Sequence, residues 1–167
     1  QAGGNLGLFP KRLAEEFEQV ITFEPDAKLY AAMRSNCPES NIRSIQACLG
    51  FDRTSVGLSR KRRDTSGRPT HEGLTHVAGA GPIPMMRLDD LRLEACDLIY
   101  LDIEGYEMFA LRGAEKTIDR FRPVIGVEIN RNTGYYGVDA GALRSWILAK
   151  NYKLSLALNS DEVYVPC

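Results

Sequence analysis

An α/β fold, with a doubly wound and mostly parallel sheet closed by a C-terminal antiparallel hairpin, is predicted by three features of this 167-residue chain. The first 26 residues read as a strand end, a glycine turn, a helix and a second strand tipped by an acid, most of a βαβ unit. Residues 97–105 and 124–130 form near-continuous apolar runs, as in strands covered on both faces, and both carry acids at their ends. Residues 152–158 and 162–165 alternate around Asn159-Ser160-Asp161, the pattern of a terminal hairpin.

In chain order, Gly3, Gly4 and Gly7 permit positive φ and a close approach of backbone to ligand. The helix that follows, about residues 8–18, presents free N–H groups at its start. Glu24 lies 17 residues after Gly7, at the tip of the strand Val20–Phe23, where a carboxylate can accept both hydroxyls of a ribose. A dinucleotide fingerprint would require glycines at 5 and 8 or at 6 and 9, which are Asn5, Leu8, Leu6 and Phe9. That spacing disfavours a nicotinamide cofactor, and the bland alternative is a tight turn with no ligand. Leu29, Tyr30, Ala32 and Met33 recur at helical spacing after Asp26, a suitable N-cap. Residues 42–50 are the third strand running into a turn, with Ala47-Cys48-Leu49 placed to face an adenine beside the Glu24 tip. Cys48 reads equally well as a small buried residue.

Residues 51–80 are less regular. Arg60-Lys61-Arg62-Arg63 reads as a solvated loop between short strands at 55–59 and 75–77. His71 and His76 have no second ligand at metal spacing and read as surface or loop histidines. Pro82 and Pro84 lead into an edge strand and helical turn over 85–91. In the run 97–105, Asp102 and Glu104 are one residue apart and lean to the same side if the strand continues through them. Gly105 turns the chain into a helix over 106–119, with Met108, Phe109, Leu111 and Ala114 inward, broken at Phe121-Arg122-Pro123. Glu128 tips the next strand, the loop 131–137 carries Arg131, Tyr135 and Tyr136, and a helix spans 139–150. All of these acids, glycines and tyrosines map to the carboxyl edge of the predicted sheet, where open α/β sheets bind ligands.

The length fits a single domain, 1–167. A net charge of −1 argues against a nucleic-acid-coating role, so no nucleic-acid partner is expected. Cys37, Cys48, Cys96 and Cys167 form no C-x-x-C pair, which fits a reducing cytoplasm. No apolar run approaches the roughly 18 residues of a membrane helix and no signal peptide opens the chain, so no membrane partner is expected. Gln1 sits where a first strand should already be ending, which predicts an N-terminally incomplete domain with that strand upstream or borrowed from elsewhere.

The G-G-N-x-G turn with an acid one strand later resembles class I S-adenosylmethionine-dependent methyltransferases. More specifically, Asp102-Ile103-Glu104-Gly105-Tyr106-Glu107, then Ala110-Leu111-Arg112-Gly113-Ala114 and Arg122-Pro123 before Glu128, resemble the FkbM family of methyltransferases. Phe23-Glu24-Pro25, Ala47-Cys48-Leu49-Gly50 and Leu88-Asp89-Asp90-Leu91 match its other blocks. The resemblance implies a Rossmann-like fold, S-adenosylmethionine as donor, and a small-molecule or glycan acceptor, usually a hydroxyl of a sugar or related metabolite. Gln1 departs from the family, which commonly has an acid two residues before its first glycine; Gln1 can still hydrogen-bond the methionine part of the cofactor. The division of roles expected on this resemblance puts Gly3, Gly4, Asn5 and Gly7 around the methionine moiety. Glu24 and Pro25 take the ribose end, and Ala47 and Cys48 the adenine. Asp102 and Glu104 stand at the methyl-transfer position with Glu128 as second choice, and Arg131, Tyr135 and Tyr136 bind the acceptor. Asp102 and Glu104 could instead bind the cofactor amine or cap the following helix. Three strand-end carboxylates could hold Mg²⁺, but no further ligand spacing supports a metal. The competing classes are a nicotinamide oxidoreductase and a non-catalytic nucleoside-binding module of a larger polypeptide.

Overall fold

The computed structural model of the chain describes residues 1–60, 75–130 and 132–167. Arg131, His71 and Lys61 to Arg63 of the basic run lie outside the described residues. The chain divides into two compact units, Gln1–Cys48 with Thr54–Met85, and Leu49–Arg53 with Met86–Cys167. The fold is α/β with mixed sheets. Among the described residues, no helix is long and apolar enough to cross a membrane.

In the first unit, α1 (Leu8–Ala14) leads to β1 (Val20–Phe23), α2 (Ala27–Asn36) and β2 (Ile42–Ile45), and β1 and β2 pair in parallel. A βαβ crossover results, as expected. Ala2 adds one parallel bridge to Phe23. Helix α1 stops four residues short of the expected end, because the Asn41 side-chain amide takes the carbonyls of Ala14 and Phe17 at 2.9 and 3.1 Å. Asp26 caps α2 as its position predicts, accepting from the N–H groups of Lys28 and Leu29. The strand β3 (Cys48–Leu49) follows at the boundary of the units. Then β4 (Ser55–Arg60) pairs antiparallel with β5 (Thr75–Ala80) and β6 (Ile83–Met86). His76, expected at a surface or in a loop, is 5% exposed within β5.

In the second unit, β7 (Leu98–Leu101), α3 (Glu107–Arg112), α4 (Glu115–Phe121) and β8 (Val124–Glu128) form another parallel crossover. After α5 (Ala140–Ala149), β9 (Tyr152–Leu158) and β10 (Asp161–Pro166) form the expected hairpin, with β10 antiparallel to both β8 and β9. The sheet order is β7-β8-β10-β9.

The single helix expected over 106–119 is two helices, and the cause is a close approach of backbones. A Cβ on Gly113 would lie 1.8 Å from the Gly50 carbonyl oxygen, so only glycine fits between the helices. There the Gly113 carbonyl accepts from the Asp89 N–H at 3.0 Å. The Asp89 carboxylate then restarts the chain as α4, accepting from the N–H groups of Lys116 and Thr117 and from the Thr117 hydroxyl. Asp89 is thus an N-cap supplied from another segment. Its neighbour Asp90 holds the guanidinium groups of Arg53 and Arg87, whose hydrogen bonds keep its carboxyl well below the usual carboxylate range. Arg122, in the left-handed region at φ 54°, donates to the carbonyls of Lys150 and Asn151 and lies over the Tyr152 ring. Asp89→Ala is expected to cost roughly 1–2 kcal/mol, read as a fall of a few degrees in the thermal midpoint. An unchanged midpoint would show that α4 does not depend on this cap.

Candidate active site

The predicted site residues fall into two sets, one in each unit. In the first, the N–H groups of Gly3 and Gly4 both donate to the Phe23 carbonyl, at 3.1 and 2.9 Å, which holds the turn against the end of β1. Gly3, Asn5 and Gly7 have φ of 88°, 46° and 93°. The space beside Gly4 and Gly7 is occupied by protein. A Cβ on Gly4 would meet Met33 Sδ at 2.3 Å and Thr22 Oγ1 at 2.9 Å, and one on Gly7 would meet Cys37 Sγ at 2.5 Å. Packing therefore accounts for these two glycines without a ligand.

Glu24 joins the turn to the strand tip. Its side chain is buried, and its oxygens accept from the N–H of Asn5 at 2.8 Å and the N–H of Asp26 at 2.9 Å. The acid and the glycine turn thus form one hydrogen-bonded assembly. Pro25 follows, half-buried, and Ala47 and Cys48 are buried on the neighbouring segment. Burial, and then the nearby Glu24 carboxylate, push the Cys48 thiol up to about 12, so it stays neutral. A carboxylate beside a small, neutral, apolar wall suits a nucleoside, with its diol at the acid and its base at the wall. Gln1 lies beside the glycine turn and the Thr22 side chain. Its amide nitrogen donates to the carbonyls of Ala2 and Gly3, and its oxygen accepts from the Thr22 hydroxyl.

In the second unit, β7 ends at Leu101. Asp102 and Glu104 therefore do not share a face by strand alternation. Glu104 and Gly105 have φ of 58° and 97° in a turn that Glu107 holds: its Oε1 accepts from the N–H groups of Ile103 and Gly105 at 3.0 and 3.2 Å. The Glu104 carboxylate accepts from the Asn132 amide at 2.6 Å. Glu128 accepts from the Asn130 amide at 2.7 Å and the Ser160 hydroxyl at 3.1 Å.

The Asp102 carboxyl hydrogen-bonds Glu128. Although the residue as a whole stays exposed, loss of water around this carboxyl, then repulsion from Glu128, Glu104 and Glu107, push it up to about 7. A carboxyl there can take or release a proton near neutrality. Tyr100, half-buried on β7, donates to Asp161 at 2.8 Å, and burial followed by that carboxylate raises its phenol above the usual range. The loop after β8 is built by polar side chains. The Asn132 N–H donates to Asn130 Oδ1 and the Asn130 N–H to Thr133 Oγ1, ending the strand two residues before the sequence predicts. Asn130, Asn132, Ser160 and Glu107 were not among the candidates. The N-x-N spacing after a strand-tip acid is the one signal that could have marked two of them. Among the described residues, no group of three or more His, Cys, Asp or Glu side chains is arranged to hold a metal ion.

Glu107 carries a pH prediction. It is 1% exposed, and its Oε2 has no hydrogen-bond partner among the described residues. Burial pushes its carboxyl from the usual 4.5 up to about 7. The folded chain therefore holds this proton more tightly than the unfolded chain, so stability is greatest below the unfolded pKa and is lost as pH rises through about 7. The loss expected is on the order of 3 kcal/mol. Glu107→Gln mimics the protonated acid and should flatten denaturant stability between pH 5 and 8, whereas a parallel fall in both proteins would contradict the assignment.

Residues 4–154 match the family model described as the methyltransferase FkbM domain. Among solved structures, a methyltransferase FkbM from Methylobacillus flagellatus KT superposes with a TM-score of 0.70 at 20% identity, over 99% of this chain and 42% of that one. The likeness shows the fold, and the chain spans less than half the length of that protein. A TehB-like SAM-dependent methyltransferase from Corynebacterium glutamicum ATCC 13032 Kitasato gives a TM-score of 0.48 at 14% identity, over 100% of this chain and 78% of that one, too loose a likeness to carry an argument. No curated protein matches the chain.

Proposed function

The chain belongs to the FkbM methyltransferase family, and from that premise we propose that it transfers the methyl group of S-adenosylmethionine to a hydroxyl of a sugar or related small metabolite. The observation that carries the reading is the Glu24 carboxylate, buried at the end of β1 and hydrogen-bonded to the glycine turn at Asn5. A diol donates naturally to such a carboxylate. Gly3, Gly4, Asn5 and Gly7 supply backbone for the methionine moiety, Glu24 and Pro25 the ribose end, and Ala47 and Cys48 the adenine wall. The doubly wound arrangement belongs to the same proposal, supported by the two parallel crossovers β1–α2–β2 and β7–α3–α4–β8.

S-adenosylmethionine supplies an activated sulfonium methyl when bound. The remaining work falls to the chain: to orient a hydroxyl and to take its proton. Asp102 is the proposed base, since its carboxyl titrates near neutrality while Glu128 and Glu104 are held by Asn130, Ser160 and Asn132. Glu104 orients the acceptor and Glu128 sets the proton affinity of Asp102. A base must be ionised, so kcat/KM should rise with pH through about 7 and fall below it. The test is incubation with labelled S-adenosylmethionine and a cell extract, followed by mass identification of the product. Asp102→Asn should lower transfer by roughly 10²–10⁴-fold. Full activity in both Asp102→Asn and Glu104→Gln removes them as base. Cofactor binding with no transfer to any pool would favour a non-catalytic module.

A further inference from the structure

In the second unit, β9 and β10 are joined by two residues, Asn159 and Ser160, with Asn159 in the left-handed region at φ 54°. A turn of this kind closes a hairpin through its backbone, and its own geometry does not call for a side chain that reaches elsewhere. Ser160 nevertheless reaches. Its carbonyl accepts from the Ile129 N–H at 2.6 Å, and its hydroxyl donates to Glu128 Oε1 at 3.1 Å. The next residue, Asp161, lies opposite Glu128 in the β8–β10 pairing and accepts from the Tyr100 hydroxyl of β7 at 2.8 Å. The turn is thus tied to β7 and β8, and both Ser160 and Glu128 are half-buried.

Glu128 receives a neutral donor on each oxygen, Ser160 on Oε1 and the Asn130 amide on Oε2 at 2.7 Å. Asn130 is local to the strand end, whereas Ser160 is brought from 32 residues away by the hairpin. The Asp102 carboxyl hydrogen-bonds the same Glu128, so the two acids share a proton. A donor to such a pair stabilises its doubly ionised form more than its singly ionised one. We propose that Ser160 is a positioning residue for the Asp102 base: its hydroxyl fixes Glu128 and lowers the pH at which the pair gives up the shared proton. This role rests on the assignment of Asp102 as base under the proposed function, and brings the terminal hairpin into the site. The other groups that bear on Asp102 oppose its ionisation. Glu104 stands in the turn that follows it and Glu107 on α3, both acids. Tyr100 of β7 also feels the Asp102 charge, with its phenol held on Asp161. A hydroxyl donating to Glu128 acts against that repulsion, and it adds no charge of its own.

Carbon-13 NMR titration of the side-chain carboxyls on the full chain tests this without a substrate, the Asp102 signal being the one lost in Asp102→Asn. Its midpoint should rise by about 0.5–1 pH unit in Ser160→Ala. That is less than a whole charged hydrogen bond, because the bond serves both ionisation states and only the difference is read. Ser160→Gly also lacks the hydroxyl but suits a turn, so it should show the same rise if a loosened hairpin is not the cause. Ser160→Thr keeps the hydroxyl and should restore the parent midpoint. An unchanged or lowered midpoint in the alanine and glycine variants, or no restoration by threonine, would overturn the role of Ser160. Transfer from labelled S-adenosylmethionine to a cell extract supplies the second readout. The acid limb of its rate profile should move with the carboxyl midpoint, whereas a merely structural residue would lower the whole profile without moving it. An unmoved midpoint in a chain that transfers methyl groups defeats the role of Ser160 alone. A raised midpoint in a chain that transfers none defeats the proposed function alone.

Discussion

Glu24→Ala should weaken S-adenosylmethionine binding by roughly 10²–10⁴-fold, because hydrogen bonds to a charged group contribute roughly 1.5–3 kcal/mol each and a ribose diol makes two. The variant also removes the acceptor for the Asn5 and Asp26 N–H groups, so the turn itself loosens. Glu24→Gln, which keeps one oxygen as acceptor, should lie between the alanine variant and the parent. Calorimetric titration reads the affinity, and a thermal melt separates loss of binding from loss of fold. Parent-like affinity in a folded Glu24→Ala protein would remove the ribose assignment.

Gly105→Ala carries the largest expected stability effect. Gly105 adopts φ 97°, which L side chains rarely adopt, and its missing Cβ would stand 2.1 Å from a backbone oxygen that cannot swing aside. Backbone strain and overpacking together should cost about 3–5 kcal/mol, a large part of the stability of a domain this size. The thermal midpoint should fall by about 10 °C or more. Gly134→Ala is the control, since nothing lies within 4 Å of the position its Cβ would take. Equal midpoints for the two variants would show that the Gly105–Asn132 contact does not hold the loop.

Elements set by local interactions are legible in the sequence, and those set by distant ones are not. Strands β1 and β2, helix α2 with its Asp26 cap, and the β9–β10 hairpin are set by local pattern, so periodicity and turn residues located them. The break at Gly113 is set by Gly50 and Asp89, distant along the chain, and helical periodicity passes straight over it. Blocks of the family resemblance behaved in the same way. Arg122-Pro123 and Asp89-Asp90 stand out in the sequence only as blocks of the resemblance, and their work is structural: Arg122 seals carbonyls beyond α5, Asp89 caps α4 and Asp90 gathers two arginines. The positions of the candidate acids Glu24, Asp102 and Glu128 at or just after strand ends were legible in the apolar runs that precede them. Their pairing was not, because Glu107 turns the chain out of strand geometry at Ile103 and so decides what Asp102 and Glu104 meet.

The most direct measurement is a crystal structure of the chain with S-adenosylhomocysteine. It should place both ribose hydroxyls on the Glu24 carboxylate and the adenine against Ala47 and Cys48. A nucleoside held anywhere else, with Glu24 still bound only to its own backbone, would contradict the account.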